Sequence, residues 1–162
     1  AGLCRVYGGR APGPRPLWLP SDPEALASAT YWDLHRLGLE RRRAETLVRV
    51  AAEQARVERL AAVDPVRAQA ELRRFRGVGT WTAAETVAVS HGYPDAVSVG
   101  DWHHKNLVAW HLTGQARGTD ERMLELLEPF RPHRGRVVRL LATAGFPPRF
   151  GPRMPLRDFA EH

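Results

Sequence analysis

Residues 72–83 read Leu72-Arg73-Arg74-Phe75-Arg76-Gly77-Val78-Gly79-Thr80-Trp81-Thr82-Ala83, and they constrain the fold more than any other stretch. Two glycines around one aliphatic residue, with helical sequence on both sides, predict a tight turn. Glycine admits the backbone angles such a turn demands, Val78 is buried, and bare backbone amides face outward. Together with the N-terminal end of a helix beginning near Thr80, those amides form an anion-sized pocket suited to a phosphate group. Arg74 and Arg76 stand ready to add charge. Gly77, Val78, Gly79, Thr80, Thr82 and Arg76 are therefore candidate phosphate contacts, of a kind that fixes position on a polyanion without reading its sequence. The competing reading is that Gly77-Val78-Gly79 merely joins two antiparallel helices.

The rest of the chain agrees with an α-helical context. Asp22-Pro23 and Asp64-Pro65 each set an N-cap residue before proline at the first helical position, so two helices start there. Ala44, Leu47, Val48, Ala51 and Ala55 recur at three and four residues, which predicts one long helix over 40–62 with its arginines outward. Further helices are expected over 23–28, 30–37, 65–75, 80–91, 102–112, 119–128 and 134–144. The β-like run Ala96-Val97-Ser98-Val99 is too short and isolated to found a sheet, so the fold class is all-α. Proline divides the chain: a Pro/Gly-rich segment over 1–20, a helical domain over 21–145 and a Pro-rich tail over 146–162, both ends reading as extended.

At 162 residues the chain is the size of one domain with one core. Its single cysteine, Cys4, excludes an internal disulfide, a cysteine-based zinc site and a four-cysteine iron–sulfur cluster. No stretch reaches the ~18 apolar residues of a membrane span, and the first residues lack the layout of a signal peptide. A cytoplasmic protein, monomeric and without membrane association, is expected. An excess of 24 basic over 18 acidic residues, net +6, favours a polyanionic partner. Lys105 is the only lysine, so the charge is carried by arginine.

Downstream of the turn, the stretch 94–105 opens with an extended segment that ends in Gly100-Asp101 and passes directly into a helix. That places the Asp101 carboxylate at a helix N-terminus, where the dipole favours the ionised form. An ionised carboxylate is poorly suited to donating a proton. It is well suited to stabilising positive charge on a sugar ring or to orienting water. Taken alone, Asp101 reads as a plain N-cap, as most aspartates in this setting are. His103, His104 and His111 do not share a helix face and no carboxylate completes a set, so no metal site is expected.

Taken together, the pattern Leu-x-x-Phe-x-Gly-Val-Gly-x-x-Thr-Ala and the aspartate-bearing loop some twenty residues later resemble the helix-hairpin-helix, Gly/Pro-rich loop and aspartate superfamily of DNA glycosylases. Within it the chain is most similar to the 3-methyladenine-DNA glycosylase II branch. The resemblance spans about residues 30–144 and includes Leu37-Gly38 before a basic helix and Pro132-x-Arg134 at the last one. It implies a compact helical glycosylase domain that acts on double-stranded DNA containing damaged bases, localised with the nucleoid. Asp101 would be catalytic in hydrolysing the N-glycosidic bond of a flipped-out, alkylated base during base-excision repair. Trp81 would stand at the base pocket, with Trp102, Glu85 and His133 as further lining residues. Trp81 occupies the position of the lyase branch's Schiff-base lysine, so simple hydrolysis without a lyase step is expected.

Leu34 or His35 would fill the gap left by the flipped base. Trp32 and Trp110 are expected in the core. A monovalent cation at the hairpin is the one cofactor the resemblance implies, and it also implies a preceding helix that this sequence does not include. Three alternatives are carried alongside, the first a non-catalytic helix-hairpin-helix DNA-binding module and the second an inactive truncated glycosylase. A basic helical domain with a purely structural hairpin is the third.

Overall fold

A computed structural model describes residues 2–145; the predicted tail 146–162 lies outside the described residues. All regular structure among them is helical, apart from an isolated antiparallel bridge between Arg10 and Trp18. No helix among them is long and apolar enough to cross a membrane. Two compact units are distinguished among the described residues, one comprising residues 2–59 with Phe75–Gly77, the other Leu60–Arg74 and residues 78–145.

The first unit contains α1 (Gly2–Tyr7), α2 (Pro23–Ala27), α3 (Tyr31–His35), α4 (Arg41–Ala52) and α5 (Gln54–Arg59). Helix α1 corrects the expectation of an extended N-terminal end: the prolines begin only at Pro12, and Leu3 and Tyr7, one turn apart, pack on the unit's core. Asp22 caps α2 as its sequence predicts, and Thr30 forms a reciprocal capping box with Asp33 at α3. Leu26, Leu34 and Ala44 form the core, over which α2 and α3 pack against α4. The single helix expected over 40–62 is interrupted at Glu53, which leaves helical geometry with φ −100° and ψ 26°. There Arg56 Nη1 donates to Glu53 at 2.9 Å and its guanidinium lies 4.3 Å from the centre of the Phe75 ring. Tertiary contact has overridden an unbroken local periodicity.

The second unit contains α6 (Pro65–Leu72), α7 (Thr80–Ser90), α8 (Trp102–Thr113), α9 (Asp120–Leu127) and α10 (Arg134–Ala144). Asp64 caps α6 through the N–H groups of Val66 and Arg67. Helices α6 and α7 share a core of small residues in which Ala68, Leu72, Ala83, Ala84 and Val87 are buried. The second cluster joins α8, α9 and α10 through Leu107, Val108, Met123, Leu127 and Val138. Between α7 and α8 the run Ala96-Val97-Ser98 is buried without forming a strand.

That connecting loop is stapled to the start of α10. Arg134 grips buried Asp95 through Nε at 2.9 Å and Nη2 at 2.7 Å, and its backbone N–H adds a third bond at 3.1 Å. The N–H of Arg136 donates to the Pro94 carbonyl. At Gly135 a Cβ would lie 2.2 Å from the Ala96 carbonyl oxygen, so only glycine permits this approach.

Candidate active site

The loop delivers Asp101 to the first turn of α8. Gly100, at φ +89°, makes the final reversal, and its N–H donates to the Asp120 carboxylate. Asp101 Oδ1 accepts the N–H groups of His103 at 2.7 Å and His104 at 3.0 Å, which is N-capping geometry. Its other oxygen, Oδ2, accepts the indole N–H of Trp81 at 2.9 Å. Partial burial opposes ionisation of Asp101, but the N–H groups of His104, Trp81 and His103 outweigh it. The carboxyl is held below its ordinary range. The N-cap and the candidate catalytic carboxylate are thus one side chain, not alternatives.

Trp81 lies in the first turn of α7, two residues after Gly79, which occupies the helix's N-cap position. Trp81 is 45% exposed, so it does not seal the hairpin as a core residue. Trp102, immediately after Asp101, is 70% exposed, and the Lys105 ammonium stands 5.6 Å from its ring centre. Lys105 also faces Asp120 at 3.9 Å. Asp101 is therefore bonded to one accessible indole, Trp81, and followed directly in the chain by a second, Trp102. Glu85, one turn along α7 from Trp81, accepts a short hydrogen bond from the hydroxyl of buried Ser98. It is tied to the loop and does not form a free solvated face. His104 adds a buried Nδ1 with no hydrogen-bond partner among the described residues.

None of the remaining sequence-predicted residues is hydrogen-bonded to Asp101 among the described residues. His133 is exposed at the start of α10, its N–H donating to the Phe130 carbonyl, and no hydrogen bond joins it to Asp101. Thr80 and Thr82 occupy the first turn of α7, and Thr82 is exposed with its carbonyl accepting from the Thr86 hydroxyl. In the first unit Leu34 is fully buried, 0% exposed, which removes it as the residue that fills a vacated base stack. His35 is half-buried, with Nδ1 3.2 Å from the Tyr31 hydroxyl. Trp32 corrects a further expectation: it is 64% exposed and tilts against Tyr31 instead of entering the core. Trp110 is half-buried. Gly77 takes φ +99°, as the turn reading requires, and the Arg76 carbonyl accepts Arg49 Nη1 at 2.9 Å.

Two features escaped the sequence reading. The Trp81 bond to Asp101 joins residues twenty positions apart, and nothing in local periodicity announces it. Asp95 reads as a loop aspartate until Arg134 is seen against it, and the Pro132-x-Arg134 element was the available signal.

No family model matches this chain, and no curated protein matches it. Among solved structures, the DNA-3-methyladenine glycosidase of Bacillus halodurans is similar, with a TM-score of 0.61 and 24% identity over 76% of this chain. The two share an all-α fold. The match covers 59% of the glycosidase chain, so this sequence spans little more than half of that neighbour.

Proposed function

We propose that the chain is a DNA glycosylase of base-excision repair that hydrolyses the N-glycosidic bond of flipped-out, alkylated bases and leaves an abasic site. The observation that carries this reading is the Asp101 carboxylate, ionised, half-buried and bonded to the Trp81 indole at the end of the loop that follows the glycine turn. In the reaction the bond between C1′ and the base nitrogen breaks and its electron pair leaves with the base. Positive charge then develops on the sugar ring, and water adds at C1′ with loss of a proton. Asp101 stabilises that charge or orients the water. The indoles of Trp81 and Trp102 give an electron-poor or cationic purine its π-faces. With Leu34 in the core, His35 is the remaining residue to fill the stack, while the turn amides and Arg76 hold the DNA backbone.

Hydrolysis without a lyase step is part of the proposal. Trp81 stands where a Schiff-base lysine would be needed, and Lys105 is committed to Asp120 and the Trp102 ring. The monovalent cation implied by resemblance fits poorly at the Arg76 carbonyl, because the Arg49 guanidinium already caps it. No step is routed through that ion.

The test is release of free bases from alkylated duplex DNA, identified by mass spectrometry, with wild type and Asp101→Asn in parallel. Asparagine is as good an N-cap as aspartate, so the fold should survive. Removing the charge should slow excision by about 10² or more with duplex affinity retained. Salt-dependent duplex binding with no base released by wild type would assign a non-catalytic DNA-binding module instead.

A further inference from the structure

We propose that a polar cavity between α4 and residues 75–77 is a preformed phosphate-binding site. The cavity, of about 400 Å³, lies within the first unit and is lined by Arg42, Glu45, Thr46, Arg49, Arg76 and Gly77. Three arginines and one glutamate therefore line it, and that glutamate's carboxylate is engaged by Arg41 at 3.7 Å.

Runs of charge on a helix are ordinarily solvated and paired along the helix. The flanking arginines behave that way: Arg43 pairs with Glu40 at 3.3 Å and Arg74 with Glu71 at 2.7 Å. Among the described residues, Arg42, Arg49 and Arg76 have no carboxylate partner, and they converge from two segments distant in sequence. Holding three cations around one cavity costs mutual repulsion that a bound anion relieves. Arg49 is already fixed in place through Nη1 to the Arg76 carbonyl at 2.9 Å, and its other N–H groups have no protein acceptor among the described residues. One wall is close-packed: a Cβ on Gly77 would lie 2.0 Å from Thr46 Oγ1, and the Thr46 hydroxyl donates back to the Arg42 carbonyl at 2.8 Å. Forked guanidinium donors match the tetrahedral oxygens of phosphate. The polar lining offers nothing to a base or other apolar group, so the ligand class is the phosphate itself.

That phosphate belongs either to a DNA strand, which rests on the glycosylase reading, or to free inorganic phosphate, which does not. Fluorescence anisotropy of an undamaged duplex over a salt series, alongside calorimetry with inorganic phosphate, separates the two sources. If the strand supplies the group, Arg42→Gln and Arg76→Gln each lower the slope of log K against log salt by about 0.9. Arg42→Lys keeps most of the slope. Arg122→Gln, which removes an arginine paired with Glu125, leaves it unchanged. If free phosphate supplies it, wild type shows saturable phosphate binding that both glutamine variants lose while the duplex slope stands. Arg42→Gln is the primary variant because its side chain tethers nothing else, whereas Arg49→Gln also loses the bond to Arg76; thermal melts verify that each variant is folded. Duplex slopes unmoved in folded variants, with no phosphate binding by wild type, overturn the proposal. Base release by that wild-type protein would leave the glycosylase reading standing. Lowered slopes without base release would do the reverse.

Discussion

Replacing Arg134 by methionine tests whether the loop that carries Asp101 is held by a buried charge. Asp95 is only 4% exposed, and in the native state it accepts three bonds from Arg134, two of them from the guanidinium fork. Methionine fills much the same volume but leaves the carboxylate with one backbone N–H and the distant, half-exposed Arg131 at 3.5 Å. Breaking one side of a buried pair costs about 3–5 kcal/mol, and Arg131 places this case near the lower end, about 3 kcal/mol. For a chain of this size that corresponds to a drop in Tm of roughly 6–12 °C. Urea unfolding of both proteins across pH checks the cause as well as the size. Arg134 holds the Asp95 carboxyl below its ordinary range against the opposing effect of burial. A depressed folded-state pKa means the contribution is complete above the unfolded value of about 3.9 and disappears as pH falls through the folded value. The gap between wild type and Arg134→Met should therefore be full at neutral pH and narrow in acid. A difference below about 0.5 kcal/mol at pH 7, or one that does not narrow on acidification, would refute the reasoning.

Trp81→Phe keeps a ring but deletes the N–H that reaches Asp101; the carboxyl should titrate higher, and the acid limb of the excision profile, which needs the carboxylate, should move to higher pH. An unshifted acid limb would mean the indole bond does not act on Asp101. Gly77→Ala should destabilise by about 2 kcal/mol or more, because φ +99° is unfavourable for alanine and its Cβ would strike Thr46; equilibrium unfolding measures this. Incubation with an abasic duplex and borohydride should trap no adduct at Lys105, and strand nicking that depends on Asp101 together with a trapped Lys105 would restore a lyase step.

The parts of the fold legible in sequence are those decided locally. Asp22-Pro23 and Asp64-Pro65 each combine a side-chain cap with proline's fixed φ, Gly77 admits the positive φ that its turn requires, and each is found as read. Periodicity was less trustworthy where tertiary contacts compete: the run over 40–62 carries one helical pattern, yet the helix stops at Glu53 where Arg56 meets Phe75. Helix α1 was missed because proline at 12–20 coloured the reading of residues 2–7, whose own i, i+4 pair of Leu3 and Tyr7 was the usable signal. Trp32 fails for a different reason, since hydrophobicity predicts burial only on average and this ring packs against half-buried Tyr31 and His35 instead of entering the core.

At the site, the residue types were legible and their division of labour was not. A carboxylate offers about four acceptor positions, and Asp101 has committed three of them to N–H donors. Each donor stabilises the charged form, so Asp101 is a weak base and a persistent negative charge. Of its two chemical options, electrostatic stabilisation of a cationic sugar gains over orienting water, since most of its acceptor positions are already taken and no donor must be displaced or reoriented as the charge develops. Trp81 then serves twice within the proposed reaction: its ring face is available to a base while its edge fixes the carboxylate that acts on that base's sugar.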